Sequence, residues 1–186
     1  ILEIAEPGTL QQTIADAGLD YERVISLKVK GRINADDMNF MGQQMKALTN
    51  VNLQHATITD GIVGGFNNHT RLTHFVFPQS GVTKIAEFAF AGTALTGSLV
   101  IPEGVIVIER YAYYSCSFLV GMLTLPSTVK RIEEAAFAFT KFSGELRLPD
   151  GIEFIDPDYY CVFQGCNFEG NLYLPERIEE NSVCYT

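Results

Sequence analysis

The sequence predicts an α/β repeat solenoid, a superhelix of about seven turns with a parallel β-sheet on one face and a helical N-terminal cap. Three observations predict it. Five prolines each follow an apolar-x-apolar triplet: Phe75-Val76-Phe77-Pro78, Leu99-Val100-Ile101-Pro102, Leu123-Thr124-Leu125-Pro126, Leu146-Arg147-Leu148-Pro149 and Leu172-Tyr173-Leu174-Pro175. These prolines lie 24, 24, 23 and 26 residues apart. The remaining apolar columns keep the same phase over more than a hundred residues.

Before the first proline turn, Thr9-Leu10-Gln11-Gln12 reads as a capping box opening a helix, with Gly18 placed to close it. Leu10, Ile14 and Ala17 give that helix an apolar stripe. Leu27-Lys28-Val29 is then the first strand triplet. A second helix is expected over 35–48, N-capped by Asn34, with Met38, Met41, Met45 and Leu48 inward. Asp36 and Asp37 in its first turn read as ordinary partners of the helix dipole. Val51-Asn52-Leu53 supplies the second triplet, and with the five proline turns the strands number seven.

Within the repeats, Val82, Val105, Val129 and Ile152 form one column, and Ile85, Ile108, Ile132 and Ile155 the next. A small-plus-aromatic pair follows at Ala89-Phe90, Ala112-Tyr113, Ala136-Phe137 and Val162-Phe163, with Phe66 in the aromatic column one turn earlier. Leu95, Phe118, Phe142 and Phe168 close each turn, ahead of Gly97, Gly121, Gly144 and Gly170. One turn cannot bury its apolar side alone, so turns stack. The first and third residues of each triplet point inward and the middle one outward. Each Pro ends its strand where a ladder N–H would be needed. Seven strands at about 4.8 Å spacing predict a sheet roughly 29 Å long. The last turn keeps Ile178, has Asn181 where Ile belongs, and stops at Thr186. It reads either as a degenerate cap or as part of a longer array. The expected organisation is a single domain over 1–186, with a helical capping region and first turn over 1–50 and repeats of about 24 residues over 51–186.

Composition narrows the function classes. At 186 residues and 47% hydrophobic content, the chain can bury one continuous core. A formal charge of -9 argues against a nucleic-acid partner, which needs a basic stripe. No apolar run approaches the roughly 18 residues of a membrane span.

The outward residues Lys28, Asn52, Val76, Val100, Thr124, Arg147 and Tyr173 form a ladder along the sheet, flanked by Ser26, Asn50, His74, Ser98, Met122, Glu145 and Asn171. Such a mixed polar and apolar face suits protein or glycan recognition; the alternative is a plain solvated face, or one covered by another domain. Lys28, Asn52, Thr124, Arg147 and Tyr173 are the candidate ligand-binding residues, with Arg147 and Tyr173 favoured because Arg and Tyr are enriched at hot spots. A second candidate is the inserted loop at 156–161, whose Tyr159 and Tyr160 either make an exposed contact or fold back on the coil. Cys116 and Cys166 sit two turns apart, roughly 10 Å, too far for a disulfide, and read as buried small residues. Cys161 with Cys184 is a conceivable pair that nothing in the sequence demands. His55, His69 and His74 have no partner at metal-ligand spacing, so no cofactor or metal is expected. Asn68-His69-Thr70 matches a glycosylation sequon.

An enzyme of the carbohydrate-active β-solenoid kind would need two carboxylates, or a carboxylate and a base, facing each other across turns. The middle positions of the ladder carry no acid, and Glu145 beside Arg147 reads as a surface ion pair. A third reading is a structural spacer within a larger surface protein.

The unit L-x-L-P-x-x-V-x-x-I-x-x-x-A-F-x-x-x-x-L, clearest at Leu123-Thr124-Leu125-Pro126 with Val129, Ile132, Ala136, Phe137 and Phe142, resembles the BspA-like (TpLRR-type) leucine-rich repeat. Val162-Phe163-Gln164-Gly165-Cys166-Asn167-Phe168 is similar to its A-F-x-G-C ending. The opening stretch, Gly8-Thr9-Leu10 with Leu27-Lys28-Val29-Lys30-Gly31 and Ile33-Asn34-Ala35-Asp36-Asp37, looks like the N-terminal region of such proteins from Gram-negative anaerobic bacteria. The resemblance implies a leucine-rich repeat superhelix and an adhesin-like, non-enzymatic module at the cell surface or secreted. A lipid anchor would lie outside this chain, and the implied partner is a host or microbial protein or glycan.

Overall fold

Each repeat folds two of its apolar segments, the triplet and the V-x-x-I stretch, as short parallel strands in the computed structural model, which describes residues 1–156, 160–176, 178 and 183. On the triplet side, Leu2–Ile4, Ser26–Ile33, Asn50–Ile58 and His74–Val76 form a four-stranded parallel sheet. Leu99–Val100 then pairs with Leu123–Thr124, and Ser143–Arg147 with Asn167–Tyr173, as two separate pairs. On the other side, Ile62–Val63, Lys84–Ile85, Val107–Ile108, Arg131–Ile132 and Phe154–Ile155 form one five-stranded sheet.

The structure thus corrects the expectation of one continuous seven-stranded sheet. It has a second sheet, and the first is interrupted twice. The second sheet forms because Ile85, Ile108, Ile132 and Ile155 all point inward and are buried. Their turns are tied by Glu109 N–H to the Ile85 carbonyl, Glu133 N–H to Ile108 and Asp156 N–H to Ile132, each 3.0 Å. The first interruption follows Phe75 and Phe77, the bulkiest inward pair, whose rings pack on Phe90 at 4.9 and 6.2 Å. The second falls where the proline spacing drops to 23. There Ser143–Arg147 begins early, and its pairing carries a register shift between Gly144 and Leu146.

Between the sheets runs a single file of stacked rings. Phe66, Phe90, Tyr113, Phe137 and Phe163 stack with centroid separations of 5.5, 5.2, 5.4 and 5.6 Å and near-parallel planes. All five are fully buried. One column departs from expectation: Phe118 is exposed, and its neighbour Leu119 fills the core instead. Cys116 and Cys166 are free and buried, as their spacing predicts. Each thiol donates to a carbonyl in the turn before, that of Phe90 or Phe137, and contacts the hydroxyl of Thr93 or Thr140. Cys161 is disulfide-bonded; Cys184 lies outside the described residues, as do Asn181 and Thr186.

The N-terminal region holds helix α1 (Leu10–Asp16) and helix α2 (Ala35–Gln43), joined through a 3-10 turn at Tyr21–Arg23 and the strand Ser26–Ile33. Asn34 caps α2 as the sequence predicts, with Asp37 closing the capping box. The box at Thr9 does not form: the Thr9 hydroxyl donates to the Glu6 carbonyl. The capping acceptor arrives instead from α2, because Asp37 accepts from Leu10 N–H at 2.9 Å and from Gly8 N–H at 2.7 Å. Asp37 is 1% exposed, so it is a buried clasp between two helix starts rather than a surface dipole partner. α2 ends at Gln43, short of the expected Leu48, yet Met38, Met41, Met45 and Leu48 are all buried. Ala17 is exposed and leaves the α1 stripe to Leu10 and Ile14. Gly42 is required where α2 crosses the coil, since a Cβ there would overlap the Gly65 carbonyl.

Candidate functional site

Alternation along each triplet puts the ladder residues outside, and strand register lines them up. Lys28 pairs across to Asn52 and Asn52 to Val76; Val100 faces Thr124, and Arg147 faces Tyr173. The interruptions therefore divide the candidate residues into groups. Lys28 is exposed on the four-stranded sheet, and Asn52 is half-buried there with its Oδ1 accepting from Gln54 N–H at 3.0 Å. Thr124, Arg147 and Tyr173 come together around the second interruption.

That interruption is an open groove of about 750 Å3. One bank is Met122, Leu123 and Thr124; the other is Glu145, Arg147 and Tyr173. The Arg147 guanidinium lies 3.6 Å from the centre of the Tyr173 ring, and Glu145 sits 3.7 Å from the same guanidinium. Both charges of that ion pair are exposed, so the pair adds little to stability. The guanidinium carbon sits over the ring, a placement from which Arg can still donate along its edge. Leu148, Leu172 and Leu174 also line the groove, adding apolar surface beside the charged bank of Glu145 and Arg147.

The loop candidates divide. Tyr160 is half-buried, and its carbonyl accepts from Ala135 N–H at 3.1 Å. Tyr159 lies outside the described residues. Two features were not singled out in the sequence. The first is an outer aromatic edge, where Phe88 stacks on Tyr111 at 5.0 Å and Tyr111 and Tyr114 continue to Phe139. Phe88, Tyr111 and Phe139 all adopt positive φ, costly for bulky residues. The Tyr111 pKa is raised, first by desolvation and then by its hydrogen bond to Glu134. The signal available was an aromatic two residues before two of the core rings, Phe88 before Phe90 and Tyr111 before Tyr113, which reads from sequence as surface. The second is Tyr113, the one hydroxyl in the core column, legible only as a Tyr where the other turns carry Phe.

Among the described residues, no group of three His, Cys, Asp or Glu side chains is placed to hold a metal ion. His69 is 1% exposed, with Nε2 3.1 Å from the Met45 carbonyl, a core contact rather than a ligand geometry. No described helix is long and apolar enough to cross a membrane.

A comparison with curated proteins gives no match. The BspA type leucine rich repeat region, by contrast, matches residues 40–169 in six copies. This stretch contains the whole five-stranded sheet, all five stacked rings and Arg147, while the strand Ser26–Ile33 and Tyr173 lie outside it. The recurrent L-x-L-P strand, the V-x-x-I strand and the stacked aromatic are the features that define its turns, and on this match the chain belongs to the BspA-type leucine-rich repeat family.

Proposed function

We propose that the chain is a non-enzymatic binding module, at the bacterial cell surface or secreted, that recognises an extracellular protein or glycan through the ladder face. The groove at Thr124, Arg147 and Tyr173 is the centre of that face, with Lys28 and Asn52 contributing from the four-stranded sheet. The reading rests on one observation: an Arg guanidinium 3.6 Å over a Tyr ring, at the wall of an open groove of about 750 Å3. A ring with a cation above it offers a flat apolar surface beside several donors. That combination suits a sugar face with its hydroxyls, or a protein loop presenting a carboxylate. Membership of a repeat family whose role is protein interaction supports the same reading. The proposed organisation is one domain over 1–186, with 1–50 as its helical capping region and any lipid anchor outside the chain.

The test is binding of the immobilised chain to a panel of matrix proteins, mucins and glycans, beside an Arg147→Glu, Tyr173→Ala double variant. Binding that the variant loses places recognition in the groove. Binding that the variant retains moves it to the Tyr159–Tyr160 loop or another face. A folded chain that binds nothing on the panel is a spacer.

A further inference from the structure

The groove at Arg147 is also a break in main-chain pairing. Along the triplet side, inward residues bond to the turn that follows. Ile101 N–H donates to the Thr124 carbonyl and Leu148 N–H to the Tyr173 carbonyl, both at 3.0 Å. Leu125 and Arg147 hold the same two places between these pairs. No hydrogen bond joins them, and Leu125 N–H has no acceptor among the described residues. The strands Leu123–Thr124 and Ser143–Arg147 accordingly fall in separate pieces of sheet.

The opening is local. Before it, Lys141 N–H donates to the Leu119 carbonyl at 2.9 Å and Ser143 N–H to the Gly121 carbonyl at 3.0 Å. Beyond it, Lys130 Nζ donates to the Gly151 carbonyl at 3.1 Å. Between these ties both edges line the groove, where Arg147 is exposed and Leu125 half-buried. An unpaired strand edge is a template for another strand. Here two such edges border one groove of about 750 Å3, within the range of ligand sites. Leu123, Leu125, Leu148 and Leu174 supply apolar lining for a side chain turned inward. A sugar has hydroxyls, but no main chain of alternating N–H and C=O to match the edges.

We propose that the groove binds an extended peptide of a partner protein as an added parallel strand. The peptide main chain accepts from Leu125 N–H and donates to the Arg147 carbonyl. Its side chains alternate, apolar residues turning to the leucines and their neighbours turning outward beside Arg147 and Tyr173. The inference rests on the reading of this groove as the recognition site, and it selects protein over glycan as the ligand.

The test uses a blocked peptide with the sequence of residues 121–125, Gly-Met-Leu-Thr-Leu, which is itself a strand of this coil. It is titrated into the 186-residue chain and followed by amide NMR. A second peptide is N-methylated at its last leucine, whose N–H would meet the Arg147 carbonyl. Saturable shifts are expected at the Leu125 amide, with hydrogen exchange there slowed about tenfold. N-methylation should weaken binding about fivefold, the worth of one ordinary hydrogen bond. The proposal is overturned if the Leu125 amide does not shift, or if both peptides bind equally. Protection of that amide in the free chain, as in a closed ladder, overturns it too. Should the peptide fail while a glycan of the panel binds and the Arg147→Glu, Tyr173→Ala variant loses it, the groove remains the recognition site and only the strand chemistry falls. Panel binding kept by that variant, with no peptide shift, overturns both.

Discussion

The two sheets are built from the same turns, yet one runs unbroken through five strands and the other splits into three pieces. Their inward residues explain the contrast. Every strand of the continuous sheet turns one β-branched side chain inward, Val63, Ile85, Ile108, Ile132 or Ile155, so each turn asks for the same space. Its outer side is held by charge: Lys84 pairs with Glu109 at 3.0 Å, and Arg131 lies 4.1 Å over the Phe154 ring. The triplet side instead varies its inward pair from Leu and Val to two Phe, and varies its spacing from 23 to 26 residues. Uniform side chains give uniform stacking; irregular ones open grooves. The continuous sheet is scaffold, and the two openings lie on the face that carries the candidate sites.

The contrast can be broken at several points. Ile108→Ala, in the middle strand of the continuous sheet, should lower the unfolding free energy by about 4 kcal/mol in urea titrations. A loss below about 1 kcal/mol would mean this sheet repacks as freely as the other.

High pH is a second lever, acting on the core that both sheets share. Burial pushes the Cys116 and Cys166 thiols up to about 11 from an ordinary value of 9.0, against smaller lowering by Thr93 and Thr140. Because the folded pKa is raised, their contribution is complete below pH 9 and is lost as pH climbs through 11. Stability should fall across that window by about 2 kcal/mol per thiol. A Cys116→Ala, Cys166→Ala variant should show a flatter profile there. An unchanged profile would assign the alkaline loss to other groups.

The first interruption is sharpened by giving its turn the residues of the next one. Phe75→Leu with Phe77→Ile should let the strands close, and hydrogen exchange at the Val100 amide should slow by about tenfold. Exchange that does not slow would show that ring bulk is not what parts them. The smallest effect belongs to Arg147→Glu, expected to shift thermal stability by no more than about 0.5 kcal/mol, because its ion pair is exposed. A larger loss would make the groove wall part of the scaffold.

Much of this was legible in the chain. The triplets read as strands because period-two alternation and a terminal Pro are strong local signals, and the Asn34 cap read correctly because both its partners lie within three residues. The V-x-x-I strands did not, since two residues carry no periodicity of their own and their pairing depends on the neighbouring turn. The Thr9 box failed for a related reason: its sequence pattern is local, but the Thr9 hydroxyl turns to the Glu6 carbonyl and the buried Asp37, 27 residues beyond Leu10, supplies the acceptor at the helix start. The ladder residues followed from alternation, whereas their grouping around Arg147 did not, because it depends on where the sheet breaks. Those breaks come from ring volume and a one-residue deletion, which a repeat pattern tolerates without comment.

The file of stacked rings also says how the chain assembles in time. Phe66, Phe90, Tyr113, Phe137 and Phe163 are 24, 23, 24 and 26 residues apart, and each stacks only on its immediate neighbours. Every addition to the file closes a loop of nearly the same length, so each step meets nearly the same entropic barrier. The unfavourable event is the first contact between two turns, after which growth proceeds along the axis as in a one-dimensional crystal. No step awaits a partner from the far end of the chain, and folding speed should therefore depend on how fast one pair of rings meets rather than on how many turns follow.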